Sequence, residues 1–254
     1  MPIAFQEFAG WWVRWLRLVV PLAVVCCAGC YTPGPILSSS RPNVIVFRGT
    51  AGYFPNLAEF EDRLAEEGLC PTVAFPDAHA KVAERVVAAR NIGRLNGPLI
   101  VVGYSKGAGA ALQFSRLMDQ RHIDVDKLVL LEVGEESRVP ANVRECINIY
   151  KPEPWNRFIP YFTGYPVIAD SAESVVRNYN VRDYNDGRYE WDSHVTLTAN
   201  PYIQDLMIDE VLLAVDRSPE HEAPILGEAR PSSRLSRQVD GRVSLTEEIP
   251  PPAE

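Results

Sequence analysis

Through the middle of this chain short, wholly apolar runs alternate with longer amphipathic stretches. Val44-Ile45-Val46-Phe47 predicts a first strand. Leu57 to Ala65 carries apolar residues at helical spacing and stops at Gly68, which predicts a helix. Thr72 to Phe75 reads as a second strand, and residues 80–95, with valines and alanines along one stripe, as a second helix. Leu99 to Val102 predicts a third strand, leading through a glycine-flanked turn into a helix that runs to Met118. Leu128–Leu131 and Ile147–Tyr150 follow as strands, with a sixth over 175–181. Ile203, Leu206, Met207, Val211 and Leu212 recur at helical spacing in a last helix over 201–215. Strands that are apolar at every position need cover on both faces. The pattern therefore predicts an α/β domain whose central sheet is mostly parallel, with helices on both faces.

The ends of the chain break this rhythm. Arg14 and Arg17 precede an apolar run from Leu18 to Val25 that closes on the small residues Ala28 and Gly29. That layout predicts a secretory signal peptide over 1–29, the run being too short for a comfortable membrane span. Cys27-Ala28-Gly29-Cys30 resembles the bacterial lipobox, which implies lipidation of Cys30 and an exported protein anchored to a membrane of the cell envelope. Residues 30–42, with three prolines and Ser38-Ser39-Ser40, read as a tether. Residues 217–254, rich in Pro, Ser, Glu and Arg, read as a disordered tail. The folded domain is thus expected over 43–216, with no internal repeat. A net charge of −8 argues against a nucleic-acid partner. Of five cysteines, only Cys70 and Cys146 fall in the domain. Each lies beside a strand, the two strands are not expected to be neighbours, and two separate buried thiols are expected rather than a bridge.

The chemistry concentrates after the third strand. Gly103-Tyr104-Ser105-Lys106-Gly107 is a G-x-S-x-G pattern between a strand and a helix, the context of a nucleophile elbow. A serine on such a turn projects its oxygen away from its own backbone. Glycines flank it because strand and helix come too close for a side chain. The chain has four histidines: His79, His122, His194 and His221. His194 falls between the last strand and the last helix, where this type of sheet delivers a general base in the chain order Ser, acid, His. Two glutamates compete for the acid. Glu132 ends the fourth strand and is favoured; Glu153 lies just past the fifth. Asp170 and Asp183 are more remote choices, and Asp192 is too close in sequence to orient the His194 ring.

Together these residues resemble a compact serine α/β-hydrolase of the lipase and esterase kind, over about residues 43–215. Val46-Phe47-Arg48-Gly49-Thr50 resembles the oxyanion segment of class 3 (fungal-type) lipases. Leu131-Glu132-Val133-Gly134 resembles the Leu-Asp-Pro-x segment of lipases whose acid follows the strand after the nucleophile, with Glu in place of Asp and Val in place of Pro. The chain is also similar to small bacterial proteins with an Arg-Gly loop, a G-x-S-x-G elbow, an acid-ended strand and a late His-x-x-[Ile/Leu] segment. The resemblance implies an α/β-hydrolase fold with a minimal cap. It implies Ser105, His194 and a glutamate as catalytic residues, and backbone N–H groups of Thr50 and Lys106 as oxyanion donors. The expected activity is cleavage of an ester, thioester or lipid ester through an acyl-enzyme, with no metal or organic cofactor. Tyr104, Trp155 and Phe158 are candidate substrate-binding residues; Tyr161, Phe162 and Tyr165 extend this aromatic segment, which suits a pocket, a small lid or plain core packing.

Two rival readings remain. Gly103, Gly107 and Gly109 also fit the nucleotide loop of short-chain dehydrogenases. That loop follows the first strand of its domain, whereas two strand–helix units precede this one. No Tyr-x-x-x-Lys follows either, since Ile123 and Ile147 stand four residues before Lys127 and Lys151. The second rival is a non-catalytic envelope lipoprotein that keeps a hydrolase scaffold for binding or structure.

Overall fold

The computed structural model describes residues 42–153, 163–183 and 192–216. Its strands are β1 (Asn43–Phe47), β2 (Thr72–Ala74), β3 (Leu99–Tyr104), β4 (Val125–Leu131), β5 (Ser137–Val139), β6 (Val143–Tyr150), β7 (Val167–Ala169) and β8 (Val175–Asn180). Its α-helices are α1 (Leu57–Glu66), α2 (His79–Asn91), α3 (Lys106–Asp119) and α4 (Pro201–Asp216). Six strands form one sheet in the order β2-β1-β3-β4-β6-β8, each pair parallel. The protein is an α/β fold built on a parallel sheet.

The continuous apolar runs are explained by what covers each face. Ile45, Phe47, Val101 and Leu130 enter a core with Val82 and Val86 of α2 and Ala111 and Phe114 of α3. Their neighbours Val46, Val102, Val129 and Ile149 enter a second core with Phe60 and Leu64 of α1 and Ile203 and Met207 of α4. Side chains alternate across a strand, so both sets must be apolar when both faces are buried. One buried charge cluster ties the sheet to a helix. Lys127 on β4, 1% exposed, pairs with Glu210 of α4 at 2.5 Å and Glu145 of β6 at 2.9 Å, while Arg177 of β8 also reaches Glu210 at 2.6 Å. These bonds fasten α4 across the sheet, and α4 follows directly on the segment that carries His194.

The sheet order reverses at β1: the chain passes from β1 to β2 on one flank, then crosses to β3 on the other. Crevices that bind ligands open at the carboxyl ends of strands at such a switch point. Arg48-Gly49-Thr50 and Ser105 stand at these two strand ends. Gly107, in the first turn of α3, lies against β1. A Cβ there would sit 2.1 Å from the Phe47 carbonyl oxygen and 2.3 Å from that of Arg48, so only glycine fits.

Some expectations need correction. Cys70 is exposed rather than buried, whereas Cys146 is a buried free thiol inside β6, pushed above its ordinary pKa by burial. The short parallel pair β5–β7 does not appear in the sequence reading, because three-residue strands carry too little periodicity. The signal segment, nearly all of the tether and the tail lie outside the described residues. Among the described residues no helix is long and apolar enough to cross a membrane.

The packing at Gly107 sets a clear contrast with Gly109, where an added Cβ meets nothing within 4 Å. Gly107→Ala is expected to destabilise the fold by about 3 kcal/mol through overpacking. Gly109→Ala is expected to stabilise it by about 0.5–1 kcal/mol through lower backbone entropy in the unfolded chain. Urea unfolding of both variants checks this, and equal effects would contradict the close approach.

Candidate active site

Tyr104 and Leu131 form the last matched rung of β3 and β4. The next residue on each strand, Ser105 and Glu132, has left-handed φ, +54° and +59°. Non-glycine residues rarely adopt this region, and holding one there costs about 1–3 kcal/mol. Main-chain bonds enforce both turns: the Ser105 N–H donates to the Leu131 carbonyl at 2.9 Å, and the Glu132 N–H to that of Ile149 at 2.9 Å. Nucleophile and acid candidates therefore leave the sheet side by side.

His194 bridges them. Its Nε2 is 2.8 Å from Ser105 Oγ, and its Nδ1 is 2.9 Å from Glu132 Oε2. In the tautomer with its proton on Nδ1, the ring donates to Glu132 and presents the Nε2 lone pair to the serine hydroxyl. Glu132 is fully buried, and its Oε1 accepts the Lys151 N–H at 2.5 Å. Gly164 leaves room for it: a Cβ there would lie 2.7 Å from Oε1.

The other acid candidates are occupied elsewhere. Glu153 is buried, but its carboxylate accepts from Arg182 at 2.9 Å and lies 3.8 Å from the Lys151 ammonium. Asp170 pairs with Arg138 and Asp183 with Asn180. Asp192 shapes the His194 segment: its carboxylate accepts from Asn200 at 2.5 Å, and its carbonyl accepts from the Lys151 ammonium. His79 Nδ1 bonds the Pro76 carbonyl, and His122 takes a left-handed φ of +55° at the end of α3.

Thr50 and Lys106 occupy corresponding places. Phe47 pairs with Gly103 in register, and each of the two lies three residues further on. Thr50 opens a 3-10 turn and Lys106 opens α3, positions whose N–H groups have no partner inside their own helix. The Lys106 side chain is half exposed and pairs with exposed Asp77 at 3.1 Å.

Tyr104 is placed differently from the substrate contact expected of it. It is 1% exposed, packs edge-on to Phe54, and donates its hydroxyl to the His194 carbonyl at 2.7 Å. It supports the histidine from beneath. Trp155, Phe158, Tyr161 and Phe162 lie outside the described residues, as does Cys30. Among the described residues no group of three or more His, Cys, Asp or Glu is placed to hold a metal ion. Lys151 and Gly164 were missed in the sequence, where nothing marks a main-chain N–H or an empty Cβ position as an acid's neighbour.

No protein-family model matches this chain, and no curated protein is significantly similar to it. The geometry carries the functional reading.

Burial pushes the Tyr104 phenol above its ordinary pKa of 10.0, with Tyr53 and Glu132 adding to the rise. The native state thus holds this proton more tightly than the unfolded chain. The stability that the group contributes is complete below pH 10 and falls as the pH rises past it. Tyr104→Phe is expected to cost about 1 kcal/mol at neutral pH and to flatten the loss of stability in the alkaline range. Denaturant melts of both proteins across that range provide the check; identical alkaline slopes would contradict it.

Proposed function

We propose that the protein is a serine hydrolase of the α/β-hydrolase fold that cleaves an ester-type bond through an acyl-enzyme. One observation carries this reading: the unbroken hydrogen-bonded chain from Ser105 through His194 to Glu132, with the serine on a strained strand-to-helix turn.

Each residue has a definite task. Ser105 Oγ attacks the acyl carbon as its proton passes to His194 Nε2, and the carbonyl oxygen takes up the negative charge. The N–H groups of Thr50 and Lys106 stabilise that oxyanion, aided by the N-terminus of α3. The intermediate collapses, His194 returns its proton to the departing alcohol or thiol, and the acyl group remains on Ser105. Water then gives a proton to His194 and attacks the acyl carbon. Collapse releases the acid, and the proton returns to Ser105. Glu132 fixes the imidazole tautomer and stabilises the imidazolium in both halves. The Lys151 N–H keeps the acid aimed at Nδ1.

Hydrolysis of short-chain nitrophenyl esters tests the reading. Ser105→Ala is expected to fall to background. Glu132→Gln is expected to lose about 10³–10⁴-fold in kcat, because an amide no longer selects the productive tautomer. Glu153→Gln is expected to retain near-normal kcat, with a stability loss of about 1–3 kcal/mol from its weakened bond to Arg182. Folded wild-type protein that turns over none of these esters would favour the non-catalytic scaffold instead. Full activity in Glu132→Gln would remove the acid assignment.

A further inference from the structure

Two of the segments that meet at Ser105 have little regular structure. One is the loop from Gly49 to Tyr53, which carries Thr50; the other is the turn around His194. Tyr53 belongs to the first and fastens the second. Its carbonyl accepts the Gly49 N–H at 2.8 Å and its N–H donates to the Thr50 carbonyl at 3.0 Å, closing the loop on itself. Its hydroxyl, 142 residues away in sequence, donates to the Val195 carbonyl at 3.0 Å. Tyr104 donates to the adjacent carbonyl, that of His194, and the two rings lie 6.5 Å apart. Two consecutive carbonyls at the base are thus held by two neighbouring phenols.

The two phenols differ in what they stand on. Tyr104 is buried at the end of β3. Tyr53 is 49% exposed, and its loop contains left-handed φ values at Ala51 (+53°) and Gly52 (+81°). A hydrogen bond this exposed adds little to global stability. A displacement of about 1 Å at a catalytic group, by contrast, can cost as much as 10²-fold in rate. We propose that Tyr53 is a positioning residue whose hydroxyl couples the Thr50 loop to the His194 turn, so that oxyanion donor and general base are set in place together. This inference rests on the hydrolase reading for its kinetic consequence, but the coupling itself is a property of the fold.

The test compares wild type with Tyr53→Phe, which keeps the ring and removes only the hydroxyl. Ester hydrolysis is expected to show kcat reduced about tenfold with KM nearly unchanged, the signature of geometry lost in the transition state. The melting temperature is expected to stay close to that of wild type. An activity-independent readout accompanies this: the downfield NMR resonance of the His194 Nδ1–H in its bond to Glu132 is expected to shift or broaden in the variant. If wild type proves inactive while this resonance responds, the hydrolase reading fails and the coupling stands. The coupling is overturned by an unaltered resonance, by unchanged kcat in an active enzyme, by a raised KM at constant kcat, or by a kcat loss matched by a fall in melting temperature.

Discussion

The close approach of α3 to the end of β1 governs this molecule. Because Gly107 rests on the Phe47 and Arg48 carbonyls, the chain leaving β3 has no room for a relaxed turn, and Ser105 is held at φ +54° and ψ −121°. That single constraint lifts the serine hydroxyl off the sheet and brings the first turn of α3 to the crevice. Through the β1–β3 register it also sets Thr50 level with Lys106. Strain of this kind persists only where surrounding structure over-determines it. Here the two apolar cores clamp the sheet from both faces, and the Ser105 N–H remains tied to β4.

The acid side repeats the device one strand over. Glu132 is the residue after the rung that pairs Tyr104 with Leu131, and it too is left-handed. Parallel strands thus deliver Ser105 and Glu132 as neighbours, and His194 from a distant loop needs only to span the gap. The loop does so because side chains from other elements hold its carbonyls: Lys151 from beyond β6 and Tyr104 from β3. The buried Lys127–Glu210 pair anchors the helix that follows. Each partner also keeps a second ion pair, Lys127 with Glu145 and Glu210 with Arg177, so the loop's downstream end is firmly set.

Much of this was legible in the sequence, for reasons that can be named. Strands buried on both faces announce themselves as unbroken apolar runs, and β1, β3, β4 and β6 were found that way. Ser105 and His194 were found by their places relative to those strands. The choice between Glu132 and Glu153 was open in the sequence because both follow a strand in the same sheet. The fold distinguishes them through Arg182, which lies 29 residues beyond Glu153 and takes its carboxylate. The burial of Tyr104 was hidden because its position in the elbow pattern suggested contact with substrate. The exposure of Cys70 was hidden because a cysteine beside a strand reads as core.

The claim that Ser105 is an activated nucleophile is tested most directly by covalent labelling. The full chain is treated with a fluorophosphonate, digested, and the modified peptide is located by mass spectrometry. A single phosphonyl adduct on Ser105 is predicted, which forms with folded protein and does not form when the protein is denatured before treatment. Folded protein that acquires no adduct, or carries it on another residue, would contradict it.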